Sequence, residues 1–446
     1  MTYQLAIIGG GPAGYTAAHR ALKAGMSVVL FEQKQLGGTC LNEGCIPTKC
    51  LLYGAKQYHQ ALTAQKYGVN TQGVSFDYAR MQQRKTKVVR KLVAGVRQKV
   101  SGEQALVVAA EAKVIRWSET FIDIQAADVT YQAERLLVCT GSDNFTPPIS
   151  GVDLPHVWDS SDALAATTLP ERIAIIGGGV IGMEFACLFN TLGVHVTVIE
   201  MLDEILGNMD AEVSTLLRQT LQKEGIDIKL KARVTGITEQ GVNYELDGEQ
   251  QMVEADHVLV SVGRRPRIQG LEALQLAMQG RGIGVDVNMR TSKPNVWAAG
   301  DVTGQSMLAH TAVREAEVAV DNMLGVESVM RYDAIPGVVY TNPEVAGVGQ
   351  TEAMLQKQGV EYDVRRLPMT FAGRFVAENE GVNGLCKLLV DKQTDRILGV
   401  HMLGNYASEI INQAAQAITC GLTAHQWSAC VFAHPTVSEI LKEACE

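Results

Sequence analysis

Two glycine-rich segments, each placed directly after a short apolar run, constrain the fold of this chain more than any other feature. The pattern Gly-x-Gly-x-x-Gly occupies residues 9–14 and again residues 177–182. A strand that enters a helix through such a turn begins a βαβ nucleotide-binding unit, because the glycines allow a tight turn and close approach of the backbone to a pyrophosphate. The sequence therefore predicts an α/β fold with two Rossmann-like domains.

A glutamate ends the second strand predicted in each unit. Glu32 follows the predicted strand at residues 27–31, and Glu200 follows the one at residues 195–199. In Rossmann folds such a carboxylate accepts hydrogen bonds from a ribose 2′-hydroxyl and repels a 2′-phosphate. No Lys or Arg comes directly after Glu200, so the second unit is predicted to bind NAD rather than NADP. The alternative is that both glutamates are solvated surface residues.

Length and composition limit the kind of protein. The chain of 446 residues exceeds the size of a single hydrophobic core, which stops growing near ~250–300 residues, so several domains are expected. The net charge of −9 is modest and no Lys/Arg cluster stands out, which argues against nucleic acid or an anionic membrane surface as a partner. No apolar run reaches the ~18 residues of a membrane-spanning helix and no signal peptide is recognisable, so we expect a cytoplasmic protein.

The nine cysteines are an odd number scattered over a large chain, unlike the dense framework of a small secreted protein. Cys40 and Cys45 stand out because they lie close together in a glycine-rich loop that enters a predicted helix. No further Cys or His pair accompanies them at the spacing of a zinc site. A disulfide between residues about one helical turn apart is feasible, and the alternative is two unrelated free thiols. A disulfide in a reducing compartment is more often catalytic than structural.

With these motifs the chain resembles the pyridine nucleotide-disulfide oxidoreductases almost from end to end, and most closely the branch of that family that acts on dihydrolipoamide. The resemblance rests on both glycine motifs and on the cysteine pair with Pro47 and Lys49. Further segments that carry it are residues 140–141, 263–266, 291–301, 307–310 and 433–439.

The resemblance implies that the first unit binds FAD, that the second binds NAD, and that a C-terminal α+β domain forms a homodimer. It places the first part of the FAD-binding domain at residues 1–145 and the NAD-binding domain at residues 146–266. The second part of the FAD-binding domain is expected at residues 267–332, and the dimerisation domain at residues 333–446.

The resemblance also implies which residues contact the cofactors. Asp301 would bind the ribityl and phosphate region of FAD, and a helix that starts near Ala309 would point its N-terminus at the flavin. Lys49 would lie near the flavin and pair with Glu184, which has apolar neighbours. The positions expected to contact FAD or NAD are Gly9, Gly11, Pro12, Ala13, Gly14, Glu32, Gly38, Thr39, Lys49, Ala112, Thr140, Gly141, Gly177, Gly179, Val180, Ile181, Gly182, Glu200, Gly263, Arg264, Gly300, Asp301, Met307, Leu308, Ala309 and His310.

The chemistry that the resemblance implies is thiol–disulfide exchange. His434 and Glu439 would form the acid/base pair, the histidine coming from the partner subunit, although the sequence context of His434 alone is typical of a turn before proline. His434 would deprotonate dihydrolipoamide, whose thiolate would attack Cys40 and release Cys45, and electrons would pass to FAD and on to NAD. The dithiol would be a lipoyl group of a 2-oxoacid dehydrogenase complex or of the glycine cleavage system.

Other interpretations remain open. A reductase of glutathione, of another small disulfide or of mercuric ion would share the cysteine pair and the flavin. Gly182 and Glu200 disfavour NADP, and mercuric reductases carry paired C-terminal cysteines where this chain has only Cys445. A flavin-binding scaffold or redox sensor is the alternative from another class. No metal site is predicted, and the remaining cysteines are expected to be core thiols, namely Cys50, Cys139, Cys187, Cys386, Cys420 and Cys430.

Overall fold

The computed structural model describes residues 2–446, which divide into two compact units. The first unit contains the chain through Cys50, residues 82–145 and residues 263–331. The second contains residues 51–81, 146–262 and 332–446. The domain boundaries expected at 145, 266 and 332 remain predictions.

A parallel sheet of five strands forms the centre of the first unit. Its strands in spatial order are Val296–Ala298, Leu136–Val138, Leu5–Ile8, Val28–Phe31 and Ala105–Val108. Every residue of Leu5–Ile8 and Val28–Phe31 is buried, as expected of parallel strands covered on both faces. Helices Pro12–Lys23 and Ala309–Met323 pack against each other and against this sheet.

Smaller elements complete the first unit. A second sheet has its strands in the order Thr2–Tyr3, Val129–Ala133, Ile122–Ala126 and Ala112–Trp117. Two short antiparallel ladders join Ser142–Asn144 with Arg264–Pro266, and Met278–Gln279 with Gly282–Ile283. The short helices are Gly38–Asn42 and the 3-10 helices Glu272–Leu274 and Asp301–Thr303.

Two long helices contribute residues to both units. They are Cys45–Leu62 and Tyr78–Lys99, with the 3-10 helix Ala64–Tyr67 between them. Helix Tyr78–Lys99 carries eight Lys and Arg and no Asp or Glu. The expectation that no Lys/Arg cluster stands out is therefore wrong for this helix, because the net charge of the whole chain conceals it.

A second parallel sheet lies in the second unit. Its strands in spatial order are Val157–Trp158, His257–Val260, Arg172–Ile176, His195–Ile199 and Asp227–Lys229. Helices Ser160–Ala165, Val180–Thr191 and Ala211–Lys223 accompany it. An antiparallel sheet follows, with strands Arg233–Thr238, Gly241–Leu246 and Glu249–Glu254.

The two parallel sheets share one arrangement. In each, the strand before the glycine motif is central and the strand that ends in a glutamate lies on one side of it. The strand on its other side is Leu136–Val138 in the first sheet and His257–Val260 in the second. The prediction of two Rossmann-like domains is confirmed.

The C-terminal part of the second unit is an antiparallel sheet with helices, which confirms the predicted α+β domain. The strands in spatial order are Gly337–Val339, Val345–Gly349, Ile397–Leu403, Leu385–Asp391 and Tyr362–Pro368. The helices are Glu352–Gln358, Met369–Phe371 (3-10), Gly373–Glu378, Ala407–Thr419, Ala424–Ser428 and Glu439–Glu443. Across residues 2–446, no helix is both long and apolar enough to cross a lipid bilayer.

Candidate active site

The first glycine motif brings a helix very close to the end of a strand. Helix Pro12–Lys23 begins directly after Gly11. A methyl group on Gly14 would overlap the carbonyl oxygen of Gly9, so only glycine permits this packing. The N–H groups in the first turn of a helix have no acceptor within the helix, which suits an anionic diphosphate.

Glu32 is held by the backbone of the same unit. Its Oε2 accepts the N–H of Gly10 at 2.8 Å, and its Oε1 accepts the N–H of Lys34 at 2.7 Å. These two donors fix the carboxylate beside the glycine turn. Each oxygen retains a further lone pair for a ribose hydroxyl.

The second unit repeats both contacts. A methyl group on Gly182 would overlap the carbonyl oxygen of Gly177. The buried Glu200 accepts the N–H of Gly178 at 2.6 Å and the N–H of Leu202 at 2.8 Å. The sequence predicted these glutamates as ligands, and the structure adds that the backbone orients both in the same way.

The first turns of two helices meet at Gly300. A Cβ atom placed on Gly300 would lie 3.5 Å from Cβ of Ala13 and 3.4 Å from Cβ of Ala312. Ala13 and Ala312 belong to the N-terminal turns of helices Pro12–Lys23 and Ala309–Met323. Two positive helix ends therefore converge beside Gly300, which fits the pyrophosphate of a dinucleotide. The second helix begins at Ala309 as predicted.

Asp301 is connected to Arg264 through a serine. The hydroxyl of Ser142 donates to Oδ2 of Asp301 and accepts from Nε of Arg264 at 2.8 Å. Arg264 also donates to the carbonyl of Ser142 at 2.7 Å. The hydroxyl of Thr140 donates to the carbonyl of Arg267. The structure thus brings the predicted Asp301 and Arg264 together, and Ser142 is a member of the site that the sequence did not indicate.

Glu315 is a second residue that the sequence analysis missed. It is completely buried, and its Oε2 accepts the N–H of Gly300 at 2.6 Å. It therefore fixes the backbone immediately before Asp301. A signal was present, because Glu315 falls on the same helix face as the apolar Ala312 and Ala319.

Cys40 and Cys45 form a disulfide with a Cα separation of 4.7 Å. Cys40 lies in the short helix Gly38–Asn42, and Cys45 is the first residue of helix Cys45–Leu62. The loop before them contacts the first glycine motif, because Gly37 donates its N–H to the carbonyl of Gly10 at 2.8 Å. The disulfide loop is therefore part of the first nucleotide-binding unit.

Asn42 leaves an acceptor beside this disulfide. Its Nδ2 donates to the carbonyls of Gly38 and Leu36 at 2.9 and 3.1 Å. Its Oδ1 is buried and has no donor among residues 2–446. A buried acceptor of this kind is a place for a bound group that donates a hydrogen bond, which fits a cofactor at the disulfide.

Lys49 and Glu184 lie on two different helices. Lys49 is one turn beyond Cys45 on helix Cys45–Leu62, so both side chains emerge from the same helix face. Glu184 is buried in helix Val180–Thr191, where its Oε1 accepts the N–H of Tyr340 at 3.0 Å. Their mutual ion pair remains a prediction.

His434 and Glu439 are in direct contact. Nδ1 of His434 lies 2.9 Å from Oε1 of Glu439, and Oε2 of Glu439 accepts the N–H of Thr436 at 2.7 Å. The N–H of Thr436, followed by the His434 side chain, lowers the pKa of Glu439. An ionised Glu439 favours the tautomer of His434 that carries its proton on Nδ1, and in that tautomer Nε2 has a free lone pair.

The remaining cysteines do not all lie in the core. Cys139, Cys187 and Cys386 are buried as expected. Cys420 and Cys430 are exposed, so the expectation of core thiols is wrong for them. Both follow the ends of helices, Ala407–Thr419 and Ala424–Ser428, where the chain turns at the surface.

These features define a pyridine nucleotide-disulphide oxidoreductase. Residues 3–316 match that family and residues 335–445 match its dimerisation domain, so the chain belongs to the family. FAD and NAD are the cofactors of this class of enzyme, in agreement with the sequence-based expectation.

Individual relatives are similar over the whole chain. The chain is 37% identical over 450 residues to the mitochondrial dihydrolipoyl dehydrogenase of Pisum sativum, covering 98% of this chain and 90% of that protein. It is 37% identical over 454 residues to the dihydrolipoyl dehydrogenase of Mycoplasma pneumoniae, covering 100% and 98%. The solved structure of the HOCl-induced flavoprotein disulfide reductase RclA from Escherichia coli matches with a TM-score of 0.86 and 31% identity, covering 99% of each chain.

Proposed function

We propose that this protein is a dihydrolipoyl dehydrogenase, which oxidises protein-bound dihydrolipoamide to lipoamide with NAD as the acceptor and FAD as the bound cofactor. The observation that carries the proposal is the Cys40–Cys45 disulfide on a loop that contacts the first glycine motif through Gly37 and Gly10. Relatives named dihydrolipoyl dehydrogenase, at 37% identity over nearly the whole chain, support the choice of substrate.

The cysteine pair accepts two electrons by thiol–disulfide exchange. A thiolate of dihydrolipoamide attacks the sulfur of Cys40, the Cys40–Cys45 bond breaks, and Cys45 leaves as a thiolate. The second thiolate of the substrate then attacks the substrate sulfur that is bonded to Cys40, and Cys40 is released as a thiolate. Lipoamide leaves oxidised, and both cysteines are reduced. Bound FAD supplies the two-electron acceptor that restores the disulfide, with NAD as the final acceptor.

Cys45 is suited to leave as a thiolate because of its place in the fold. It is the first residue of helix Cys45–Leu62, where the positive end of the helix dipole stabilises a negative sulfur. Thr48, in the first turn, donates its hydroxyl to the carbonyl of Gly44 at 2.6 Å and so fixes the entry to the helix.

His434 serves as the proton acceptor for the substrate thiol. Glu439 orients the imidazole through Nδ1, so Nε2 takes the proton when the thiol becomes a thiolate. The side chain of His434 is 78% exposed on its own chain, which supports a role at a site completed by a second copy. We therefore propose a homodimer through the dimerisation domain at residues 335–445, in which His434 of one protomer serves the disulfide of its partner.

The two dinucleotides would be held by the two glycine motifs. FAD would lie along residues 9–14, with Glu32 at its ribose and Asp301 at the ribityl and phosphate region. NAD would lie along residues 177–182, with Glu200 at its ribose. The backbone bonds to both glutamates support these roles because they hold the carboxylates in place before a ligand binds.

The substrate suggests the partner, and the free cysteines suggest the compartment. The lipoyl group would be carried by a 2-oxoacid dehydrogenase complex or by the glycine cleavage system. We place the reaction in the cytoplasm, where thiols stay reduced, since all cysteines among residues 2–446 other than Cys40 and Cys45 are free.

The environment of Cys445 weighs against a mercuric reductase, in which C-terminal cysteines would receive the metal ion. Burial raises the pKa of Cys445 to about 12, so this residue is a thiol rather than a thiolate at neutral pH. A reductase of glutathione or another small disulfide shares the cysteine pair, and the buried carboxylate of Glu200 weighs against the NADP that such a reductase would use.

Anaerobic turnover tests the proposal. We expect the purified enzyme to reduce NAD with dihydrolipoamide and to show no comparable reaction with reduced glutathione and NADP. Thiol titration of the denatured oxidised protein should find seven thiols, the number of free cysteines among the described residues, and nine after reduction. Turnover with only the glutathione and NADP combination would contradict the substrate, and nine thiols before reduction would contradict the disulfide.

A further inference from the structure

Helix Tyr78–Lys99 is strongly basic on a chain that is otherwise acidic. It contains eight Lys and Arg and no Asp or Glu. The rest of the chain has 31 Lys and Arg against 48 Asp and Glu. The basic residues are Arg80, Arg84, Lys85, Lys87, Arg90, Lys91, Arg97 and Lys99.

Four of these side chains form one line along the exposed face of the helix. Arg80, Arg84, Lys87 and Lys91 are spaced by four, three and four residues, which places them above one another on a single face. All four are exposed. We call this line the basic stripe, and with a rise of about 1.5 Å per residue it is roughly 16 Å long.

Most of the stripe has no counter-charge within the protein. Among the residues that the structure describes, no carboxylate lies within ion-pair distance of Arg80, Lys87 or Lys91. The neighbouring Arg90 has none either. Like charges one turn apart destabilise a helix. The stripe is therefore a surface whose charges are unfavourable until an anionic partner covers it.

The stripe lies beside the helix that carries the disulfide. Nη1 of Arg84 contacts the carbonyl of Cys50 at 3.5 Å, and one turn away the side chain of Met81 packs over Gly54. The two helices thus run antiparallel, because Cys50 pairs with Arg84 and Gly54 with Met81. Cys45 lies five residues before Cys50. Because the two helices are antiparallel, Cys45 lies opposite the segment about five residues after Arg84. The end of the stripe near Lys87 and Lys91 lies alongside the start of the disulfide helix.

We propose that the basic stripe docks an acidic protein domain that presents the dithiol to the Cys40–Cys45 disulfide, an inference that rests on the proposed function. Electrostatic complementarity of this kind raises the rate of encounter and orients the partner.

The chemistry of the surface favours a compact domain over a nucleic acid or a membrane. A nucleic-acid duplex is longer than the basic stripe. Beyond the stripe it would meet the rest of the chain, whose net negative charge repels phosphates. A helix that lies on a membrane inserts bulky apolar side chains into it. In this helix the exposed face is basic, and among its large apolar side chains Leu92 is the exposed one, at 40%.

A charge-neutralising variant tests the proposal. Arg80→Gln/Lys87→Gln/Arg90→Gln/Lys91→Gln removes four charges, retains good helix formers and leaves Arg84 in place. Its matched control is Lys23→Gln/Lys223→Gln/Arg281→Gln/Lys357→Gln, which removes four exposed charges elsewhere. The probes are free dihydrolipoamide and a recombinant lipoylated domain with a negative net charge. The same domain, with carboxylates amidated only until its net charge is zero, is the neutral reference.

At low ionic strength, we expect the stripe variant to lower kcat/KM for the acidic domain about tenfold, with a flatter dependence on salt. Its kcat/KM for free dihydrolipoamide and for the amidated domain should match the wild type, and the control variant should match it with every substrate. An equal loss in the control, or no loss with the acidic domain, would overturn the proposal.

Binding without turnover separates this proposal from the proposed function. Calorimetry with the unlipoylated acidic domain should show weaker binding to the stripe variant, even if the wild type failed to oxidise dihydrolipoamide. A short duplex DNA or an anionic vesicle that binds the stripe more tightly than the acidic domain does would overturn the assignment of the partner.

Discussion

The carboxylate of Glu439 joins the imidazole of His434 to the backbone of its own turn, with Oε1 2.9 Å from Nδ1 and Oε2 2.7 Å from the N–H of Thr436. The two contacts use both oxygens, so the carboxylate cannot rotate without breaking one of them. His434 is thereby oriented by a group that is itself fixed, although the imidazole is exposed.

Removing the charge of Glu439 should impair the proposed proton transfer. We expect Glu439→Gln to lower kcat/KM for dihydrolipoamide about 10²-fold, within the range by which general acid–base catalysis accelerates reactions. The fold and the flavin content should be unchanged, and the pH profile of kcat/KM should shift. Glu443→Gln, an exposed change on the same helix, is the matched control. Wild-type kcat/KM in Glu439→Gln would contradict the role of this residue.

The lowered pKa of Glu439 predicts a dependence of stability on pH. The N–H of Thr436 and then His434 lower this pKa in the folded state, so the stabilisation is present above the unfolded value and is lost as pH falls through the folded value. We expect the difference in urea midpoint between the wild type and Glu439→Gln to be present above the unfolded-state pKa of a glutamate, about 4.3, and to shrink progressively as pH falls below it. A difference that grows on acidification would show the opposite sign.

The two glycine motifs should respond independently to the addition of one methyl group. Gly14→Ala forces the helix off the carbonyl of Gly9, and we expect flavin content to fall about tenfold. Gly182→Ala should retain flavin and raise the KM for NAD about tenfold. Gly95→Ala, which has no atom within 4 Å of the added methyl group, should change neither quantity. Absorbance at 450 nm and steady-state kinetics measure both effects.

Glu200 should control the choice of nicotinamide cofactor. Glu200→Ala leaves the N–H groups of Gly178 and Leu202 unsatisfied, at about 1–3 kcal/mol each if they stay buried, and removes the proposed ribose acceptor. We expect the KM for NAD to rise about tenfold and the discrimination against NADP to weaken. The exposed Asp203→Ala is the control. Unchanged discrimination in Glu200→Ala would assign the NAD preference to another group.

A buried lysine should contribute strongly to stability. Lys387 is 2% exposed, and its Nζ contacts both oxygens of Asp210 at 2.9 and 3.0 Å and Glu212 at 3.0 Å. Burial opposes the charge, yet hydrogen bonds to Glu352, Asp210 and Glu212 raise the pKa of Lys387.

Lys387→Met leaves the buried Asp210 without its cation. We expect a loss of about 3–5 kcal/mol in the free energy of unfolding, measured by urea unfolding followed by circular dichroism. The exposed Lys357→Met should lose little. A similar loss in both variants would mean that the burial of the charge does not matter.

The glycine motifs, the strand-end glutamates and the cysteine pair could be predicted because each is a local pattern with a local cause. The turn into helix Pro12–Lys23 needs glycine where the helix meets the strand, and the residues that cause this turn are all within one short segment of sequence. The antiparallel C-terminal sheet was predicted only as an α+β domain, since strand order depends on pairing between distant segments.

The connection from Arg264 through Ser142 to Asp301 could not be predicted, because Ser142 is 122 residues from Arg264 and 159 residues from Asp301 in sequence. The surface cysteines were misjudged for another reason. Cysteine is usually buried, but the local ends of the helices before Cys420 and Cys430 decide their exposure. A helical segment rich in Lys, Arg and Gln is predictable from residues 56–100, but its strength as a Lys/Arg cluster is concealed when charge is averaged over all 446 residues.

The first unit is assembled from three separated stretches of chain, and this sets an order for folding during synthesis. Its central sheet is incomplete until Val296–Ala298 is made and pairs with Leu136–Val138. The second parallel sheet, by contrast, draws all its strands from residues 157–229 and 257–260, and emerges from the ribosome earlier. The part of the first unit that lies before residue 146, which includes the disulfide loop, is therefore translated before its sheet can be completed, while the second parallel sheet can form first.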